Sequence, residues 1–317
     1  MTWPTDLAAI RAAANRIRPH VHRTPVLTCA SLDALAGRAL FFKCENLQRT
    51  GSFKMRGAAN AVFSLDAEAQ KRGVVTHSSG NHAQALALAA RDRGLRAVVV
   101  MPHTASSMKR QAVLDFGAEV IDCENTLADR EASAQRVVDQ TGATLVPPFD
   151  HPLVITGQGT VALELLEDVP ELDAIVVAVG GGGLISGITL AAAELAPGLP
   201  IFGAEPALAD DAAASKRAGV IQPQRPPRSI ADGLLTSLGQ HTWPVVRDLV
   251  PRIFTVEEDE IITAMRLFME RAKLVIEPSA AVPLAAVLSP EFRTLSDLQR
   301  VGIVLCGGNV DLSRLPF

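Results

Sequence analysis

Apolar runs of strand length alternate with alanine-rich segments of helical period along most of the chain. The first periodic segment, Leu7 to Ile17, reads as an amphipathic helix. An apolar stretch follows at Ala39-Leu-Phe-Phe42. Val74-Val-Thr76 reads as a strand, with a helix from His82 to about Arg93. Arg96–Met101 predicts a buried strand, Ser106–Phe116 a helix, Ala118–Asp122 a strand and Thr126–Gln140 a helix. Ala143–Val146 then leads into Pro147-Pro148. A second series begins at Gly157 with a helix to Leu166, a strand at Ala174–Val179, a glycine run, a helix to Leu195 and a strand at Pro200–Ala204. Gln222–Arg228 is a loop by composition. Helices near Glu258–Ala272 and Ala280–Leu288 and a strand at Arg300–Leu305 complete the pattern. Strand–helix alternation of this kind predicts an α/β fold of two lobes, each an open parallel sheet wrapped by helices. The smaller lobe, 76–151, is expected as an insertion in the larger, 1–75 and 152–317. Internal repeats are not evident.

Composition narrows the picture. A chain of 317 residues buries roughly 75% of its unfolded surface and needs no covalent staples. Hydrophobic residues make up 48% and charged residues 20%, the balance of a globular protein and not of a disordered one. A net charge of -4 implies no basic face for nucleic acid. No apolar run is long enough to cross a bilayer, and the N-terminus lacks the pattern of a signal peptide. Cys29, Cys44, Cys123 and Cys306 are scattered, without zinc spacing, which suits a reduced, cytoplasmic setting.

Chemistry concentrates at turns, where ligands of open α/β sheets gather. Lys54 lies in Asn46-Leu-Gln-Arg-Thr-Gly-Ser-Phe-Lys-Met-Arg-Gly-Ala58, read as a turn. A lysine there is either a solvated surface group or an amine whose pKa is depressed for bonding to a carbonyl compound, with Arg56 as the neighbouring charge. Gly180-Gly-Gly-Gly-Leu-Ile-Ser-Gly187 follows a strand and opens a helix, so its N–H groups suit a phosphate. A flexible turn and a dinucleotide site with Glu205 on the ribose are the alternatives, although the spacing is not G-x-G-x-x-G. Ser78-Ser-Gly-Asn-His82 is a second strand-to-helix turn, either a plain N-cap or a carboxylate grip. Cys306 in Leu305-Cys-Gly-Gly-Asn309 is either a buried thiol or one that faces a ring nitrogen. The acids of Glu205-Pro-Ala-Leu-Ala-Asp-Asp211 suit Mg²⁺ or Ca²⁺, or simply begin a helix.

Taken together and in this order, these turns resemble the pyridoxal-phosphate enzymes of fold type II, the tryptophan-synthase-β type. The likeness is strongest to the serine racemase and serine/threonine dehydratase branch. It extends over Thr24-Pro-Val-Leu27, Lys43–Lys54, Ile230-Ala-Asp-Gly233, Thr242-Trp-Pro244, Ile276-Glu-Pro-Ser279 and Gly307–Leu312. The resemblance implies that Lys54 carries pyridoxal 5'-phosphate covalently and later moves the α-proton. Phe53 would pack beside the ring and Asn81 would bond its hydroxyl oxygen. Gly180, Gly181, Gly182, Gly183 and Leu184 would bind the phosphate, and Cys306, where many relatives carry serine, would face the ring nitrogen. Ser78, Ser79, Asn81 and His82 would grip the substrate carboxylate, with Ser79 as acid/base on the opposite ring face. The family's divalent-metal site, for Mg²⁺, Ca²⁺ or Mn²⁺, maps onto Glu205, the carbonyl of Ala209, and Asp211.

The expected activity is dehydration and deamination of a β-hydroxy amino acid such as serine or threonine to a 2-oxo acid and ammonia, with racemisation of serine as a companion reaction. A 3-hydroxyaspartate dehydratase is the alternative within the enzymes. A non-catalytic coenzyme carrier or amino-acid sensor is the alternative of another class, disfavoured because Lys54 and Ser79 are both present and no regulatory domain is evident. A homodimer is the assembly the resemblance suggests.

Overall fold

The computed structural model describes residues 3–78, 80–105, 107–222 and 228–317. Among the described residues, ten strands form two sheets. In chain order they are β1 (Val26–Leu27), β2 (Ala39–Cys44), β3 (Val74–His77), β4 (Ala97–Pro102), β5 (Glu119–Cys123), β6 (Thr144–Leu145), β7 (Ala174–Ala178), β8 (Ile201–Pro206), β9 (Ile253–Val256) and β10 (Arg300–Leu305). The larger sheet has the order β1-β2-β10-β7-β8-β9 and the smaller β5-β4-β3-β6. Of these strands only β1 runs antiparallel, against β2; every other pairing is parallel. This is the α/β architecture of two parallel sheets expected from the alternating pattern.

Parallel sheets need cover on both faces, so their strands read as continuous apolar runs. Ala174-Ile-Val-Val-Ala178 is buried along its whole length. The largest core surrounds the larger sheet and includes an edge-to-face contact of Phe42 with Phe268, ring centroids 5.1 Å apart. One face of the smaller sheet packs on the helices Lys54–Phe63 and Asn81–Arg93, through Met55, Ala58, Val62, Leu86 and Ala90. Its other face packs Val75, Val98 and Val100 on Ala134 and Val137 of the helix Leu127–Thr141. The helix Lys54–Phe63 thus belongs to the second core although it precedes residue 76.

The helix expected to begin at Gly157 begins five residues earlier, as Pro152–Asp168. Pro152 sits at the first position, where a missing N–H costs nothing, and the His151 ring caps the Leu153 N–H. Its glycines are sites of close approach. A Cβ on Gly157 would lie 2.6 Å from the Arg56 carbonyl oxygen, and one on Gly187 of the helix Gly183–Leu195 would lie 2.4 Å from that of Ile155. The three helices therefore pack backbone against backbone.

Candidate active site

The carboxyl ends of β3, β7 and β10 open into one cleft of about 1710 Å³ between the two sheets. Lys54, Asn81, Gly180–Leu184, Glu277, Cys306 and Asn309 all line it. Four of the five turns picked out in the sequence thus converge on one place, and the Glu205–Asp211 turn does not line it.

Lys54 is the first residue of a helix, not part of a turn. Gly51 and Ser52 mark only the approach: Ser52 bridges to Gly307, and the Phe53 N–H donates to the Cys306 carbonyl at 3.0 Å. These contacts seat the lysine beside the end of β10. Its amine donates to the Pro148 carbonyl at 2.7 Å and lies 5.0 Å from the centre of the Phe53 ring. Burial lowers its pKa to about 8, against the opposing pull of Cys306 and Glu277. Arg56 is not the cause, contrary to expectation. Its side chain is fully buried on the other side, clamped by the Glu45 carboxylate at 2.7 and 2.8 Å and by Glu164 at 2.7 Å. Burial disfavours its charge, but Glu45 and Glu164 hold the guanidinium charged above its usual range. Lys43 completes the cluster with a 2.7 Å bond to Glu164.

Asn81 opens the helix Asn81–Arg93. Its Nδ2 donates to both oxygens of Glu277 at 3.0 Å, and its Oδ1 accepts from Asn309 Nδ2 at 2.8 Å. Glu277 also accepts the Asn309 N–H at 3.2 Å and lies 4.0 Å from the Cys306 Sγ. Burial raises the Glu277 carboxyl to about 7 and raises the Cys306 thiol well above its ordinary value, so the thiol is neutral. The sequence pattern gave Glu277 no role. An acid before proline reads as an ordinary helix start, and Glu277 does stand at the N-cap of the helix Pro278–Leu288, but its side chain makes no cap bond and turns into the cleft.

The side chain of His82 is not available to grip a carboxylate. Its ring is buried, with Nε2 3.0 Å from the Val146 carbonyl, so Nε2 carries the proton and Nδ1 is an acceptor. Burial and then Lys54 lower its pKa to about 3. A neutral ring with its one N–H spent has nothing to offer an anion; only the backbone N–H of His82 is suited to that. Ser78 accepts the Gly80 N–H at 3.4 Å. Ser79 lies outside the described residues.

The glycine loop offers donors suited to an anion. Among the described residues, the N–H groups of Gly181, Gly182, Gly183 and Leu184 have no hydrogen-bond partner. Four orphan donors at the start of a 13-residue helix form a nest for a phosphate. Gly182 has φ +82°, and a Cβ there would lie 2.9 Å from that of Thr242. A Cβ on Gly181 would lie 2.3 Å from the Phe149 ring. Thr242 ties the loop down by donating to the Gly181 carbonyl at 2.9 Å.

The family profile described as pyridoxal-phosphate dependent enzyme matches residues 17–307. The chain belongs to this family. It is 53% identical over 316 residues to the serine racemase of Arabidopsis thaliana, covering 99% of this chain and 96% of that protein. The solved structure of maize serine racemase superposes with a TM-score of 0.96 at 49% identity, over 98% of this chain and 95% of that one. The solved threonine deaminase of T.th. superposes with a TM-score of 0.92 at 44% identity, over 98% of this chain and 100% of that one.

The cleft of this pyridoxal-phosphate enzyme fits the coenzyme. A buried amine of lowered pKa, an unsatisfied donor nest, a flanking aromatic ring and a neutral thiol are the partners its aldehyde, phosphate, ring face and ring nitrogen call for. The dinucleotide alternative does not fit. Glu205 is fully buried, accepts the Ala212 and Ala213 N–H groups at 3.1 and 2.8 Å, and does not line the cleft, so it is out of reach of a ribose bound there. Burial raises Glu205 well above the carboxylate range, and Asp211 to about 6. Asp211 Oδ2 is buried without a partner. Among the described residues no group of three acidic, histidine or cysteine side chains forms a metal site. Likewise, among them no helix is long and apolar enough to cross a membrane.

Proposed function

We propose that this enzyme eliminates water from a β-hydroxy amino acid such as serine or threonine, releasing a 2-oxo acid and ammonia, and that it also inverts serine. The observation that carries the reading is the meeting of the Lys54 amine, the orphan N–H groups of the glycine loop and a neutral Cys306 thiol in one cleft. The names of the relatives, serine racemase and threonine deaminase, support the substrate class. When bound, the coenzyme supplies the electron sink that makes the substrate's α-proton acidic. Lys54 would hold it covalently, Gly180, Gly181, Gly182, Gly183 and Leu184 its phosphate, Asn81 its ring hydroxyl, Phe53 its flank and Cys306 its ring nitrogen.

The amine of Lys54 would take the substrate's α-proton. A base with a pKa of about 8 is close to operating pH, and a positioned base is worth roughly 10²–10⁴-fold. Cys306 shapes the outcome. A neutral thiol would not keep a ring nitrogen charged as a carboxylate would, which favours departure of the β-hydroxyl, protonated and released as water, over reprotonation at the α-carbon. Ser78 and the backbone N–H groups at the start of the helix Asn81–Arg93 hold the substrate carboxylate. Ser79 returns a proton from the opposite face when serine is inverted. Closure of a smaller lobe, residues 76–151, onto the larger lobe excludes water.

A divalent cation, Mg²⁺ or a similar ion, belongs between Glu205, Asp211 and the Ala209 carbonyl. The partnerless Asp211 oxygen and the raised pKa of both acids support it, because a hard cation would offset the cost of burying them. A homodimer in the cytoplasm is the assembly and setting that go with this reading, and four unpaired cysteines accord with a reducing compartment. The test is ammonia release from L- and D-serine, L-threonine and the 3-hydroxyaspartates, with and without Mg²⁺. Turnover confined to the 3-hydroxyaspartates would overturn the serine/threonine assignment.

A further inference from the structure

Asn81 is held at both ends of its amide. Nδ2 faces the Glu277 carboxylate at 3.0 Å, and Oδ1 faces Asn309 Nδ2 at 2.8 Å. Which end is which follows from a third bond. Asn309 Nδ2 also lies 2.8 Å from the carbonyl oxygen of Thr50, and a carbonyl can only accept. The Asn309 amide nitrogen is therefore fixed toward Thr50. One of its two hydrogens goes to Thr50 and the other to Asn81, so the atom of Asn81 that meets it must be the oxygen. The opposite end of Asn81, its N–H₂, then falls against a carboxylate that accepts. Reversing the Asn81 amide would set nitrogen against nitrogen at Asn309 and oxygen against oxygen at Glu277.

The relay is built into the loops that frame the site. Gly308 N–H donates to the Gly51 carbonyl at 2.8 Å, which joins the Cys-Gly-Gly-Asn turn to the approach of Lys54. A Cβ on Gly51, where φ is +72°, would lie 2.3 Å from Asn309 Oδ1. Only glycine leaves room for the Asn309 amide in this pose. Asn81 Nδ2 lies 3.0 Å from both oxygens of Glu277 and carries two hydrogens, so one suffices for the carboxylate and the other can serve the cleft that Asn81 lines.

We infer that Asn309 is a positioning residue that, together with Glu277, sets which end of the Asn81 amide meets the coenzyme's ring oxygen, so that an N–H and not a carbonyl is offered there. The inference rests on the coenzyme assignment above and deepens it. An N–H held against the ring oxygen favours the anionic oxygen and loosens the proton it shares with the Lys54 nitrogen. The titratable groups around this amide are Glu277, Cys306 and Lys54, with Asp232 and Lys109 beyond Glu277; the test leaves all of them in place.

The experiment compares coenzyme-loaded parent, Asn309→Leu and Asn309→Ala proteins. The visible band of the bound coenzyme is titrated against pH, and intact mass reports the bond to Lys54. Neither substitution adds a charge. With the donor to Asn81 gone, Glu277 alone holds the amide, which turns more readily, and the band's pH midpoint is expected to rise by about one unit, a tenfold gain in the proton's hold. A midpoint equal to the parent's in a variant that carries the coenzyme overturns the inference. A second measurement stands without any variant: a scalar coupling across the hydrogen bond from Asn309 Nδ2 to the Asn81 carboxamide carbon, by NMR of the loaded parent. Its absence also overturns the inference. A parent that carries no coenzyme on Lys54 would instead refute the coenzyme assignment itself.

Discussion

Replacing Arg56 by methionine should cost this fold about 3–5 kcal/mol, the usual loss when one partner is taken from a buried ion pair. The cluster is neutral as it stands: Arg56 and Lys43 against Glu45 and Glu164. Side chains of Arg56, Glu45 and Lys43 are fully shielded from solvent, and that of Glu164 is 16% exposed. Without the guanidinium, Glu164 still has Lys43, but Glu45 keeps only the Thr24 hydroxyl at 2.5 Å. One negative charge is stranded. At about 2 °C per kcal/mol for a chain of this size, the melting temperature should fall by roughly 6–10 °C. Thermal and urea unfolding of the coenzyme-free protein measure it. The double variant Arg56→Met, Glu45→Gln removes the stranded charge, so it should be more stable than Arg56→Met alone. A cost below about 1 kcal/mol for the single variant, or simple additivity of the two, would refute the account.

Further outcomes follow from the site. Lys54→Ala should abolish both the visible band of the coenzyme and ammonia release; retained turnover would sink the proposed role. In coenzyme-free protein, burial holds the Lys54 pKa at about 8, below its ordinary value of about 10.4, so the folded state bears the cost of a buried cation below pH 8. Lys54→Met should therefore melt above the parent at pH 7, with the advantage shrinking between pH 8 and about 10; a gap independent of pH would contradict this. Glu277 shifts the other way, up to about 7, so its contribution is present below the ordinary carboxyl pKa and lost as pH rises through 7. Glu277→Gln should then gain on the parent from about pH 4.5 to 7 in the same unfolding assay. Gly181→Ala places a methyl within 2.3 Å of the Phe149 ring, so coenzyme affinity, read by fluorescence titration, should drop at least tenfold; unchanged affinity would remove the loop from the phosphate site. Mg²⁺ should raise the melting temperature of the parent but not of Asp211→Asn; equal responses would argue against the cation site.

What could be read from the sequence was what local pattern fixes. The strands at Ala174–Ala178 and Arg300–Leu305 are unbroken apolar runs, and the helix Glu258–Ala272 announces itself with a capping box of Glu257 and Glu260. The glycine loop and the Ser-Gly-Asn turn were legible because each sits at a strand end. The helix Lys54–Phe63 was not. Gly51, Ser52 and Gly57 look like turn residues, and what keeps the segment helical is long-range: the Arg56 ion pairs and the packing of Gly57 against Gln158, whose side-chain oxygen accepts its N–H at 3.1 Å. Short elements such as β9 and the helix Thr242–Leu249, with Pro244 in its first turn, carry too few residues for a period to emerge. The part of Glu277 was hidden because it depends on Asn81 and Asn309, 196 and 32 positions away along the chain.

The bare contacts of Gly157 and Gly187 have a wider consequence. The segment bearing Lys54 and the segment bearing the glycine loop rest on opposite sides of a single rod, Pro152–Asp168, with main chain against main chain at Gly157 and at Gly187. Main-chain contact at these two glycines helps to set the span between the two anchors. Neighbouring side chains can drift over evolutionary time without changing that span, whereas one added methyl at either seam would pry the anchors apart.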